Sequence, residues 1–277
     1  MRYGVATFVT DEGIAPAPLG RALEGRGFQS LFLAEHTHIP VRRETPYPGG
    51  TELPRKYYRI LDPLVTLGVV AAVTERLVLG TGIALVIQRD PIVLAKEIAT
   101  LDLVSGGRSA CGVGGGWNRE EMRNHGTEPK TRMALLRERI LAMKEIWTKD
   151  EAEFHGEFVD FDPIFSWPKP VQRPHPPILV GGAGPKTFDR VLEYGDGWMP
   201  VFRNGAQELG AQIRELRRRG AEQGRDHIPV TVYAAPPKPE VVAQLTEAGV
   251  DEILFDLPTE PEPETLKRLD EFAQLIN

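Results

Sequence analysis

Short runs of β-branched, aromatic and other apolar residues alternate along the chain with longer segments whose apolar positions recur every three or four residues. The first kind of pattern predicts strands over Arg2–Val9, Ser30–His36, Leu77–Val86 and Ser109–Gly115, and again over Pro177–Gly182, Gly197–Phe202, Ile228–Ala235 and Asp251–Pro258. The second predicts a helix after each of them: Ala17–Phe28, Asp62–Thr74, Asp90–Ser105, Thr131–Asp150, Gly184–Gly195, Ala206–Gln223, Lys238–Gly249 and Pro263–Asn277. Two of these helices open with Asp followed by Pro, a capping side chain and a residue that suits the first helical turn. Strands that alternate with helices in this way build a parallel sheet with right-handed crossovers. Eight such units in 277 residues favour a closed (β/α)₈ TIM barrel over a doubly wound sheet, as a single domain over 1–277.

Two connections exceed what a simple link needs: Thr37–Leu61 after strand 2 and Glu151–Pro176 before strand 5. The first mixes aromatic and basic residues in "YPGG" and "RKYYR". The second contains "EFHGEFVDFD", whose Phe154, Phe158 and Phe161 predict a small β excursion packed on the barrel. The net charge of −6 argues against a broad nucleic-acid surface. Apolar runs fall short of the ~20 residues a membrane helix requires. "MRYGVATFV" reads as a strand entered directly rather than as a secretory leader, so the cytoplasm is the expected compartment. A single cysteine, Cys111, excludes an internal disulfide and a cysteine-based metal cluster.

In a barrel the chemistry is expected at the C-terminal ends of the strands. The second strand ends at Glu35 and His36, and the histidine is a candidate acid or base, with a loop-capping role as the alternative. His38 stands two residues on, but no partner at suitable spacing supports a metal site. The third strand carries Gly80 and Gly82, which suggests a bulge or a ligand against the backbone, with packing relief as the bland alternative. The fourth runs into "GVGGGWN", where Gly114, Gly115 and Gly116 leave the backbone bare beside Trp117 and Asn118. It fits neither a dinucleotide fingerprint nor a P-loop. The bareness would let a flat ring lie close, and Asn118 would offer it an amide. The fifth strand ends in Gly181, Gly182, Ala183 and Gly184 at the start of a helix, a setting suited to an anion and assisted by Lys186. A plain turn is the alternative there.

The stretches "LGTGIALVIQRDPIVLAKEIATLDLVSGGRSACGVGGGWNREE" and "EFHGEFVDFDPIFSWPKPVQRPHPPILVGGAGPKTFDRVLEYGDGWMPVF", with "LFLAEH" before them, resemble the bacterial luciferase-like monooxygenase family up to Phe202. The resemblance implies a TIM barrel with a flavin-type ring at its mouth, the cofactor being FMN or the deazaflavin coenzyme F420. It also implies a non-prolyl cis peptide at Gly82–Ile83 under the ring, a cofactor phosphate at Gly181–Gly184, an active-site role for His36, and cofactor contacts from Glu35 and Asn118. Sugar-phosphate dehydrogenases of the F420 branch carry a glutamate after the glycine cluster. This chain has Gly116-Trp117 there, which argues against that reaction.

"ELPRKYYRILDPL" resembles F420-type members, so the expectation is an F420-dependent oxidoreductase moving hydride to or from a small organic substrate. The alternatives are an FMN-dependent monooxygenase, a non-redox phosphate-binding barrel lyase or isomerase, and a cofactor binder without turnover. The helices "LVTLGVVAAV" and "PIVLAKEIATL" are apolar around much of their circumference, which, with the resemblance, points to a homodimer.

Overall fold

The computed structural model describes residues 1–50, 52–203 and 205–276. Asn277, the last residue of the last expected helix, lies outside them. Ten strands and nine α-helices are described. In chain order they are β1 (Arg2–Thr7), α1 (Pro16–Gly25), β2 (Ser30–Leu33), α2 (Pro63–Ala71), β3 (Val78–Ala84), α3 (Pro91–Val104) and β4 (Ser109–Val113). Then come α4 (Arg119–Asn124), α5 (Arg132–Thr148), β5 (Glu151–His155), β6 (Asp160–Phe165), β7 (Ile178–Gly181) and α6 (Thr187–Tyr194). The chain finishes with β8 (Gly197–Met199), α7 (Ala206–Ala221), β9 (Thr231–Ala235), α8 (Pro239–Glu247), β10 (Glu252–Asp256) and α9 (Glu262–Ala273).

Eight strands form one parallel sheet in the order β8-β7-β4-β3-β2-β1-β10-β9. Its two edges meet through the parallel bridges Trp198↔Val230 and Val201↔Tyr233, which close the barrel. The eight expected strand–helix units are therefore all present. The Asp62 and Asp90 carboxylates cap α2 and α3 as the Asp-Pro starts implied, each accepting from two backbone N–H groups. The connection before the fifth barrel strand contains the expected β excursion, the antiparallel pair β5–β6. Phe158 and Phe161 pack it onto the main core, and the Glu138 carboxylate of α5 accepts from three successive backbone N–H groups of its turn, 157 to 159.

Two apolar cores result. The large one lies between sheet and helices. The small one fills the barrel's interior and draws on every barrel strand: Ala6, Phe32, Ala110, Leu179, Met199 and Leu254, with Val78, Ile83 and Tyr233 beside them. A barrel interior is filled by side chains rather than hollow. That filling explains most of the strand glycines. A Cβ on Gly80 would stand 2.3 Å from the Phe32 ring, one on Gly82 would stand 2.4 Å from Tyr233, and one on Gly112 would stand 2.2 Å from Met199 Cε. Packing relief, the blander of the two expectations for the third strand, therefore operates at both Gly80 and Gly82.

Candidate functional site

The C-terminal ends of the strands surround a cavity of ≈ 330 Å³, within the ~300–1,000 Å³ range of small-molecule sites. Its floor includes Gly82 and Ile83, and the peptide bond between them is cis. The β3–β4 register slips between Thr81 and Ala84, so the strand bulges here and turns Ile83 into the mouth. The glycines of β4's exit have two distinct jobs. A Cβ on Gly114 would sit 2.2 Å from Ile83 Cδ1, and one on Gly115 would sit 2.5 Å from Met133 Sδ. At these two positions protein side chains occupy the space a Cβ would take. Gly116 differs. It lines the cavity and has φ +61°, a conformation L side chains rarely adopt.

His36 is not on a strand. β2 ends at Leu33, so the alternation expected for Glu35 and His36 gives way to a loop. Glu35 is buried. Its Oε2 accepts from Leu85 N at 2.6 Å and its Oε1 from Arg89 Nε at 2.6 Å. Arg89 also reaches Asp62 and Glu97, so one guanidinium ties the end of β2 to the starts of α2 and α3. Burial pushes the Glu35 carboxyl up, and Arg89 pulls it back. With both oxygens engaged, Glu35 braces the segment that follows the cis bond.

The imidazole of His36 lies in the cavity wall between two partners. Its Nδ1 is 2.7 Å from Glu121 Oε2, with both side chains nearly buried, and Trp117 Nε1–H donates to its Nε2 at 3.3 Å. An indole N–H only donates, so Nε2 carries the lone pair and Nδ1–H donates to Glu121. The site thus holds a carboxylate-oriented imidazole, although "GVGGGW" has no acid where the sugar-phosphate branch has one. The acid arrives one helical turn later. Asn118 caps α4 by accepting from Glu121 N at 3.3 Å, and N-x-x-E read as sequence is a capping box. Only half of the box is made, because the Glu121 side chain turns to His36 and its Oε1 is left buried without a partner. Asn118 is itself buried, and its Nδ2 is a buried donor also without a protein partner.

Aromatic residues complete the wall. Tyr57, from the 3₁₀ turn Arg55–Tyr58, packs 5.3 Å from the His36 ring and donates to Tyr47 Oη at 3.3 Å. Burial pushes the Tyr57 and Tyr233 hydroxyls far above the ordinary phenol range, so both stay protonated. Tyr233, Ala234 and Asp256 come from β9 and β10, in the quarter of the chain without a motif, and nothing in the sequence marked them. Ala234 has φ +58°, beside a register shift between β9 and β10 at the cavity's edge.

Val201 and Arg203 belong both to this cavity and to a smaller one of ≈ 100 Å³ that reaches Ala183. Of the Gly181–Gly184 loop, Ala183 lines that smaller hollow. Gly182 has φ +104°, and a Cβ at Gly182 or Gly184 would meet nothing nearer than Thr187 Oγ1, at 3.6 and 4.0 Å. This loop is open where the β4 glycines are not, and it lies exposed at the N-terminus of α6. His38 stands beside α4 in the loop after β2, hydrogen-bonded at both ring nitrogens. Its nitrogens meet Thr37 Oγ1 at 3.0 Å and Asn124 Nδ2 at 2.9 Å.

The chain belongs to the luciferase-like monooxygenase family, whose model matches residues 17–254. A Mycobacterium tuberculosis protein of uncharacterised function is 44% identical over 263 residues, covering 93% of this chain and 92% of its own length. Two relatives of named activity stand further off. An FMNH(2)-dependent dimethylsulfone monooxygenase from Pseudomonas putida is 34% identical, over 64% of this chain and 47% of the relative. An F420-dependent glucose-6-phosphate dehydrogenase from Nakamurella multipartita is 30% identical, over 72% of this chain and 60% of the relative. The fold is shared with an F420-dependent secondary alcohol dehydrogenase, at TM-score 0.78 and 18% identity over 99% of this chain and 98% of that one. Among the described residues no helix is long and apolar enough to cross a membrane.

Proposed function

We propose that the protein is an F420-dependent oxidoreductase acting on a small organic substrate. The observation that carries the reading is the mouth cavity lined by Gly82, Ile83 and His36, with the His36–Glu121 pair in its wall and, sharing Val201 and Arg203 with it, a smaller hollow that reaches Ala183. The residues fit such a cofactor. Ile83 offers a flat apolar contact, the α6 N-terminus with Gly182 and Gly184 offers room and backbone N–H groups for a phosphate, and the unpartnered Asn118 Nδ2 offers an amide donor. Bound there, the deazaflavin would supply hydride acceptance or donation at its C5. The lean to F420 rests on "ELPRKYYRILDPL", whose Tyr57 forms the wall against His36.

The chain's own chemistry is proton handling. His36 Nε2 carries the imidazole's lone pair, and among the described residues Trp117 donates to it. A substrate hydroxyl that replaced the indole at Nε2 would lose its proton there as hydride left carbon, and the reverse would protonate a carbonyl. The Glu121 carboxylate would stabilise the imidazolium formed. The rings of Tyr47, Tyr57 and Trp117 pack edge-on to one another beside that imidazole.

FMN-dependent monooxygenation is the second reading, favoured by the 34% identity to the dimethylsulfone enzyme. Fluorescence titration of the purified protein with F420 and with FMN separates them. Saturable binding of F420 alone is the expected result, and binding of FMN alone would transfer the assignment.

We further infer a homodimer formed through α2 and α3. Val65 (71% exposed) and Val69 on α2, and Val93 (55%), Leu103 and Val104 on α3, present an apolar surface to solvent in the single chain.

A further inference from the structure

Against the ring cavity lies a second hollow of ≈ 580 Å³, and the two share Pro48, Gly116 and Trp117. Three guanidiniums converge on it. Arg119 and Arg123 stand four residues apart on one face of α4, and Arg132 is the first residue of α5. Three other arginines are ion-paired, Arg55 with Glu12, Arg59 with Asp11 and Arg89 with Glu35. Among the described residues Arg119, Arg123 and Arg132 have no ion pair. Arg132 donates through Nη1 to Pro129 O at 2.6 Å, and its Nε is buried with no partner at all.

Two carboxylates also line the hollow, Glu44 and Glu120. Glu120 is engaged through one oxygen, while its Oε2 is buried without a partner. Its Oε1 accepts from the backbone N–H groups of Glu44 and Thr45 at 3.2 and 3.3 Å, which pins the long loop over the mouth. A fourth guanidinium, Arg43, lies 5.6 Å over the Trp117 ring on the shared wall. Three arginines and two carboxylates therefore line the hollow, with Arg43 beside it over Trp117, and the hollow adjoins the ring site at Pro48, Gly116 and Trp117.

We propose that this hollow binds the carboxylate-bearing γ-glutamyl tail of the coenzyme whose ring occupies the central cavity. The assignment rests on the F420 reading above. The path is short. β4 and β7 are hydrogen-bonded neighbours, with Val113 opposite Val180, so "GGG" and "GGAG" leave the barrel side by side. Arg132 lies against the first of these loops, 3.6 Å from the place a Gly115 Cβ would take. A chain leaving the phosphate loop has one strand to cross before it meets guanidiniums, which are suited to carboxylates. FMN ends at its monophosphate and would leave the arginines unused. An acidic substrate is the other source of carboxylate, and it predicts a different result.

The test is a fluorescence titration with three ligands: F420 bearing several glutamyl residues, the same coenzyme with its phospholactyl group but no glutamate, and the bare riboflavin-like deazaflavin. Wild-type protein is expected to bind the long-tailed form about tenfold more tightly than the glutamate-free form at low salt, an advantage that shrinks as salt screens it. The double variant R119E/R123E should lose that advantage and bind the glutamate-free form as wild type does. Equal affinity of wild type for the two phosphorylated forms overturns the tail assignment while leaving the F420 reading intact. Equal loss of all three ligands in the double variant also overturns it, because the arginines would then be supporting the ring site. Failure of wild type to bind any deazaflavin overturns the cofactor reading, and the tail assignment falls with it.

Discussion

His36 is held at both ring nitrogens, and the two bonds do different work. Glu121 fixes the proton on Nδ1, while the lone pair of Nε2 accepts from the Trp117 indole. Glu121→Gln preserves a hydrogen-bond acceptor and removes the charge that would stabilise an imidazolium. We expect turnover to fall about 10- to 100-fold in that variant, with cofactor affinity within a few-fold of wild type. His36→Ala should lose more, roughly 10²- to 10⁴-fold, again without a matching loss of affinity. Unchanged turnover in either variant, measured beside a binding titration, would leave the pair a structural role only. The histidine was legible in the sequence as a polar residue at a strand end. Its partner was not, because N-x-x-E signals a helix cap and the diversion of that glutamate depends on a loop 85 residues away.

At the scale of elements, the end of β2, the starts of α2 and α3, and the bulge after β3 meet at Arg89. Removing it strands the buried Glu35 carboxylate with only the Leu85 N–H. Arg89→Ala should cost about 3 kcal/mol near neutral pH. The pH dependence follows from the direction of the Glu35 shift. Burial raises its folded value, so its stabilising contribution is fullest below the ordinary glutamate range and declines as pH rises through the folded value. Arg89 limits that decline by favouring the charged form. The variant should therefore lose more stability at pH 8 than at pH 5, where Glu35 and Glu97, both raised by burial, are closer to neutral. Urea unfolding at the two pH values checks this, and an equal loss at both would mean that Glu35 does not titrate with folding.

The whole molecule presents its chemistry at one end and an apolar flank at the side. A barrel's outer helices ordinarily show solvent a polar face, whereas α2 and α3 show it valines and leucines. In the inferred homodimer this flank is covered. Light scattering on a sizing column should give twice the 30.7 kDa of one chain, and the double variant V65E/V93E should give a single chain that still binds cofactor. A monomeric wild type would remove the inference.

The sequence alone determined the parallel barrel, because a strand and a helix have different apolar periods and eight alternations leave few topologies. It determined the helix starts, because Asp-Pro carries its own capping chemistry, and it marked both glycine loops. It did not determine what each glycine does. Gly114 and Gly115 make way for Ile83 and Met133, while Gly182 and Gly184 stand open, and that distinction exists only once strands from distant parts of the chain share one interior. The same holds for Tyr233 and Asp256, which come to the mouth because β9 and β10 close the barrel. It holds as well for Glu121, whose side chain can turn to His36 only because the loop after β2 and the first turn of α4 are brought to the same rim.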